Sequence, residues 1–145
     1  MTRLRVPLLP IGLRASLTLL FAGLIFYLSV FTVPPEQPVV PYFGLVPLDK
    51  WRHLLAYGAL GLLLSYTFTD RFDRRPRFAA TVFAVTVAYG FVVELAQGQV
   101  PQRYFSVYDA YANAWGATVV LPWLLLERYV TFAPVHDLVR TDGSG

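Results

Sequence analysis

The chain has 145 residues, 56% of them hydrophobic and 14% charged, with a mean hydropathy of +0.51. Soluble globular domains carry about 25% charged residues, so the composition argues against an ordinary soluble domain, and its hydrophobicity excludes intrinsic disorder. The lack of cysteine rules out disulfide frameworks, thiolate metal sites and cysteine nucleophiles. A net charge of +3 and a pI near 9.4 suit a nucleic-acid binder only if the basic residues form one patch. The length fits one domain, and it is enough for about four membrane helices of roughly 20 apolar residues each. The expected class is an integral membrane protein, a single domain over 1–145.

Four apolar runs follow in chain order, at about 15–33, 50–69, 78–97 and 109–130. The first carries no charge and is preceded by Arg3, Arg5 and Arg14. No small-x-small cleavage site follows it before Val33-Pro34-Pro35, so it reads as an uncleaved anchor rather than a signal peptide. Residues 34–48 contain Pro34, Pro35, Pro38, Pro41 and Pro47 and cannot be helical throughout. Tyr42, Phe43, Leu45 and Val46 make this loop too apolar for a free arm, so it is expected at the interface or over the bundle. The second run opens with Lys50, Arg52 and His53, and the third holds one charge, Glu94. The fourth ends at Glu127 and Arg128, and the tail from Thr131 is expected to fray. His136 and Asp137 in that tail show no partner spacing and receive no role. The runs are too long and too evenly apolar for barrel strands. The predicted fold is therefore an all-α bundle of four transmembrane helices.

Basic residues orient the bundle. Arg3, Arg5, Arg14, Arg71, Arg74, Arg75, Arg77, Arg128 and Arg140 all fall on one side of a four-pass chain. Lys50, Arg52 and Arg103 fall on the other. The positive-inside rule then places both termini in the cytoplasm and the 34–48 and 98–108 loops outside. Topology explains the arginine-rich loop, and no nucleic-acid partner is expected.

Polar residues within the runs gather at the outer end. His53, Glu94 and Asn113 each lie about one turn inside it, at a common depth of about 5–6 Å. Asp49, His53 and Tyr57 share one helical stripe, as do Asp109, Asn113 and Gly116, while Glu94 and Gln97 are three apart. Polar stripes at membrane depth face the bundle interior. Small residues at Gly61 and Ser65, and at Ala112 and Gly116, favour close helix contact. A polar pocket is expected there, lined by His53, Glu94, Gln97, Arg103, Asp109 and Asn113. A weak repeat accompanies it, since Asp49-x3-His53 and Asp109-x3-Asn113 open two runs in the same way.

Asp49-Lys50-Trp51-Arg52-His53 with Tyr57 resembles the D-K-x-x-H-x3-Y segment of VanZ-like membrane proteins. Glu94-x2-Gln97-x3-Pro101-x-Arg103-x2-Ser106-x2-Asp109-x3-Asn113-x2-Gly116 is similar to that family's second signature. The resemblance spans about residues 48–117, with no departure at the polar positions. It implies a multi-pass cell-membrane protein, and a link to resistance against the glycopeptide teicoplanin, the property associated with the founding member.

Each polar residue admits two readings. Glu94 is either a general acid or base, or a structural partner for Asn113 or Arg103. His53 either shuttles protons or binds a metal, or it is an interfacial histidine bonded to a carboxylate. Asp49 and Asp109 are either site carboxylates or helix N-caps. Arg103 either clamps an anion or pairs with Glu94 or Asp109. If the protein is an enzyme, Glu94, His53 and Asp109 are the candidate catalytic groups. Arg103, Gln97, Asn113, Lys50, Asp49, Tyr57 and Ser106 are the candidate ligand-binding groups. No H-E-x-x-H or comparable motif, Gly-rich phosphate loop or G-x-S-x-G element occurs, so neither metal nor cofactor is expected. Three classes stay open: a protein that binds an anionic envelope ligand or lipid, an acid–base enzyme on a lipid-linked headgroup, and a structural subunit. A homo-oligomer is compatible with all three. A transporter is not expected, because helices two to four read as apolar below the outer turn or two.

Overall fold

The computed structural model of the chain describes residues 3–32, 42–43, 46–101 and 105–135. Arg103, His136, Asp137 and most of the proline-rich loop lie outside these. Along the described residues the order is β1 (Leu4–Leu8), α1 (Ile11–Val30), β2 (Tyr42–Phe43), β3 (Val46–Pro47) and α2 (Leu48–Phe68). There follow α3 (Arg75–Gln97), α4 (Val107–Ala117), α5 (Val120–Leu126) and β4 (Val130–Pro134). The protein is mainly helical. Among the described residues, α1 and α3 are the two helices long and apolar enough to cross a membrane. Only 17% of the apolar window of α1 and 33% of that of α3 is buried, so side chains such as Leu19, Leu20 and Leu24 point outward. Apolar faces this open need a cover other than water.

Side-chain contacts give the helix directions. Arg14, early in α1, meets Tyr66, Thr67 and Asp70 at the end of α2. Glu127, just past α5, accepts from Thr69 and from Arg75 at the start of α3. At the opposite end, the Gln97 amide on α3 donates to the Ser29 carbonyl late in α1. His53, early in α2, meets Asn113 of α4. The helices α1, α2, α3 and α4 therefore alternate in direction. Between the ends lies an apolar core that includes Ile25, Leu60, Leu64, Phe78, Val82, Val120 and Trp123.

Two sequence expectations need correction. The fourth run is not one helix: it breaks at Thr118 and Val119, between α4 and α5. Pro122 accounts for this, because it has no N–H for the Thr118 carbonyl and its ring crowds that carbonyl. The chain tightens instead, with i→i−3 bonds from Thr118, Val119 and Leu121. The segment after Thr131 does not fray at once. Val130–Pro134 pairs in parallel with Leu4–Leu8, in register from Leu4 opposite Val130 to Leu8 opposite Pro134. Phe132 stacks on Trp123 with ring centroids 5.5 Å apart, and Tyr66 packs against both. The strands flanking the helical body thus meet on one side. The apolar part of the 34–48 loop supplies β2 and β3, a short antiparallel ladder at the start of α2.

Arg14 is also more than a charge beside the first helix. Its guanidinium is buried and holds Asp70 through two bonds of 3.0 Å, while donating to the Tyr66 and Thr67 carbonyls at 2.9 and 3.0 Å. Thr18 and Thr67 complete the polar layer with a 2.9 Å hydroxyl contact. The hydrogen bonds from Arg14 hold the Asp70 carboxyl below its ordinary value of 3.8, against the smaller opposing effect of burial. A lowered folded-state pKa contributes stability fully above 3.8 and loses it as pH falls through the folded value. Asp70 is 38% exposed, so the pair is worth about 1 kcal/mol. Asp70→Asn should lower the detergent-solubilised melting temperature at pH 7 by about 2–4 °C. Melts at descending pH should show that deficit closing below about 3.8.

Candidate functional site

The polar end of the bundle is built from α2, α3 and α4, and close backbone approach makes it possible. A Cβ on Gly116 would meet the Leu54 carbonyl oxygen at 2.5 Å and the Gly58 nitrogen at 2.8 Å. Glycine at 116 is what lets α4 lie directly on α2. Gly90 does the same for α3: its Cβ would stand 3.0 Å from both Asn113 Cβ and Tyr57 Cε1. Gly90 lies one turn before Glu94, so the helix face that admits α2 and α4 also carries the carboxylate.

Glu94 is 0% exposed. Its Oε2 accepts from the Ser106 backbone N–H at 3.3 Å, and its Oε1 has no hydrogen-bond partner among the described residues. His53 stands beside it. The ring Nδ1 is 3.0 Å from Asn113 Oδ1 and 3.8 Å from Glu94 Oε1, while Nε2 is 3.7 Å from Asp109 Oδ1. An amide oxygen only accepts, so Nδ1 carries the hydrogen, and in the neutral ring the lone pair lies on Nε2. Tyr57, one turn along α2, stacks parallel to the imidazole with centroids 6.5 Å apart. Its hydroxyl and the Asn113 Nδ2 are likewise buried without partners among the described residues.

The remaining candidates have clear placements. Ser106 is the N-cap of α4: its hydroxyl accepts from the Asp109 N–H at 3.2 Å. Asp109 is therefore not a cap. It sits in the first turn, where its carboxylate takes the Lys50 ammonium, and Lys50 also pairs with Asp49 at 2.7 Å. Asp49 does not cap α2, since no side-chain cap bond forms there and Pro47 holds the cap position. Gln97 leaves the cluster to tie α3 to α1 through Ser29. Arg103 lies outside the described residues. The structure thus brings together Asp49, Lys50, His53, Tyr57, Glu94, Ser106, Asp109 and Asn113, from three helices. Sequence reasoning missed Gly90, although its four-residue spacing from Glu94 was a usable signal.

This arrangement can do two things chemically. The free Nε2 between carboxylates can accept a proton. The three nearby donors His53, Glu94 and Asp109, whose ligand atoms lie within 4.8 Å of one another, can hold a cation. The described cluster sets three carboxylates against one lysine and one histidine, so it is short of positive charge. Comparison with family models, curated proteins and solved structures finds no match.

Gly90→Ala should force Tyr57 and Asn113 away from α3, at a cost of about 1–3 kcal/mol. Gly23→Ala, with open space around its Cβ, should instead gain up to about 1 kcal/mol from helix propensity. Thermal unfolding of the two variants side by side checks the contrast.

Proposed function

We propose that the chain is a multi-pass cell-membrane protein of the VanZ-like type, with four passes and cytoplasmic termini. Its polar end faces outward and binds the headgroup of an anionic cell-envelope ligand, with a link to glycopeptide resistance. The observation that carries this reading is the group of buried orphan polar atoms at this end: Tyr57 hydroxyl, Asn113 Nδ2, Glu94 Oε1 and Asp49 Oδ1. Buried polar groups are nearly always bonded, and several unmet ones around one point favour a ligand that completes them. Two of the four, the Tyr57 hydroxyl and the Asn113 amide, are donors that an oxyanion can meet. The open apolar faces of α1 and α3 favour lipid around the bundle. The parallel β1–β4 pair agrees with both termini on one side, the side that holds most of the arginines.

A second reading, an enzyme doing acid–base chemistry on a lipid-linked headgroup, is favoured by one observation. His53 lies between Glu94 and Asp109, with its tautomer set by Asn113. In that case Nε2 accepts a proton from the substrate, Asp109 stabilises the imidazolium that results, and Lys50 or Arg103 steadies the anionic group.

Mass spectrometry of lipids co-purified with wild type, Glu94→Gln and Arg103→Ala tests the reading. An anionic envelope lipid should accompany wild type and fall by about 10-fold or more in both variants, the loss of roughly 1.4 kcal/mol of binding. Enrichment in Glu94→Gln alone would instead indicate a substrate that is bound but no longer turned over. If both variants insert, fold and keep the lipid and full activity in a resistance assay, the pocket reading fails.

A further inference from the structure

The geometry points to a divalent transition-metal ion of the zinc class, held by His53, Glu94 and Asp109. The inference deepens the reading above and rests on it for the anionic headgroup that the ion would face. One imidazole and two carboxylates form a three-ligand nitrogen and oxygen set, of the kind that leaves a coordination position open. The three residues come from α2, α3 and α4, so packing of the helices, rather than a local motif, gathers them. Their ligand atoms lie within 4.8 Å of one another. Donors bound at about 2.0–2.2 Å around one ion lie about 3–4 Å apart, so a modest closure of the three side chains completes the site.

Independent observations support a ligand at this place. Glu94 is wholly buried, and its Oε1, aimed at His53, has no hydrogen-bond partner among the described residues. A charged carboxylate oxygen is costly to leave in that state. The Nδ1–H of His53 is bonded to Asn113, the outer-shell contact that fixes a metal-binding imidazole and presents Nε2 beside Asp109. Glu94 Oε1, 3.8 Å from Nδ1, turns toward the ion to complete the set. Lys50, which holds Asp109, has a second carboxylate in Asp49, so Asp109 can turn to an ion without stranding the ammonium. A dication balances Glu94 and Asp109 and supplies the positive charge that the cluster lacks. Its open position would face the phosphate or carboxylate of the headgroup, with the Tyr57 hydroxyl and the Asn113 amide as donors nearby.

The test uses the full chain in detergent, stripped by a chelator, reloaded with Zn2+ or Co2+, desalted and analysed for metal by mass spectrometry. Wild type should retain about one ion per chain, and the Co2+ form should show visible d–d bands. Glu94→Gln and Asp109→Asn should each weaken retention by about 10-fold or more, with circular dichroism reporting the fold. Asp109 is partly exposed, so Asp109→Asn carries the test if Glu94→Gln does not fold. Wild type without stoichiometric metal, or folded variants that retain metal as wild type does, overturns the proposal. Wild type that takes no metal yet keeps its lipid overturns the metal and spares the pocket reading. Wild type that takes metal but no lipid does the reverse.

Discussion

A carboxylate removed from water must be neutralised, hydrogen-bonded or ligated, because burying it charged and alone costs several kcal/mol. Glu94 places that constraint at the centre of this protein. It sits on a largely apolar helix, wholly buried, with one oxygen met by the Ser106 backbone and the other unmet among the described residues. Everything that surrounds it must either satisfy this group or position what does. Gly90 and Gly116 bring the helices close enough, Asn113 turns the imidazole, and the Ser106 cap starts α4 where Asp109 reaches Lys50.

The two ends of the bundle handle buried charge differently. At the end holding β1 and β4, Arg14 finds a carboxylate and two carbonyls, and Glu127 finds Thr69, Arg75 and Trp123. Most donors and acceptors there are met, with Arg14 Nε the exception, as expected of groups whose task is to hold helix ends together. At the other end several polar atoms stay unmatched at comparable burial. A structural layer has no reason to retain such a mismatch, whereas a binding or reacting site requires it before its ligand arrives. This contrast within one molecule is the main reason to assign function to the His53 end.

The sequence disclosed periodicity and depth well, and partnership poorly. Hydropathy alone marked the helical segments, though not the break in the fourth, and four-residue spacing put His53 with Tyr57, and Asp109 with Asn113, on single faces. Helices alternating in direction then brought the starts of α2 and α4 to the end of α3, so the cluster itself was foreseeable. Spacing cannot say which atom a side chain will meet. Gln97 shares depth with the cluster but bonds to a carbonyl of α1, and Asp49 and Asp109 pair with lysine instead of capping. The β1–β4 pair joins segments from opposite ends of the chain, beyond any local pattern. The Pro122 break was present in the sequence but hidden by uniform apolarity around it. Arg14 looked like one more topological arginine, because its partner Asp70 lies 56 residues further along the chain, just past the end of α2.

Everything assigned to the site depends on the imidazole of His53 being held by Asn113 inside the bundle. Long-range 1H–15N correlation spectra of the histidine ring in micelles measure that directly, with His136→Gln separating its signal from the tail histidine. The proposed arrangement requires the Nδ1–H tautomer in the neutral ring, with the Nε2 signal shifted on addition of Zn2+. An Nε2–H tautomer, or the averaged signals of a freely solvated ring, would contradict it.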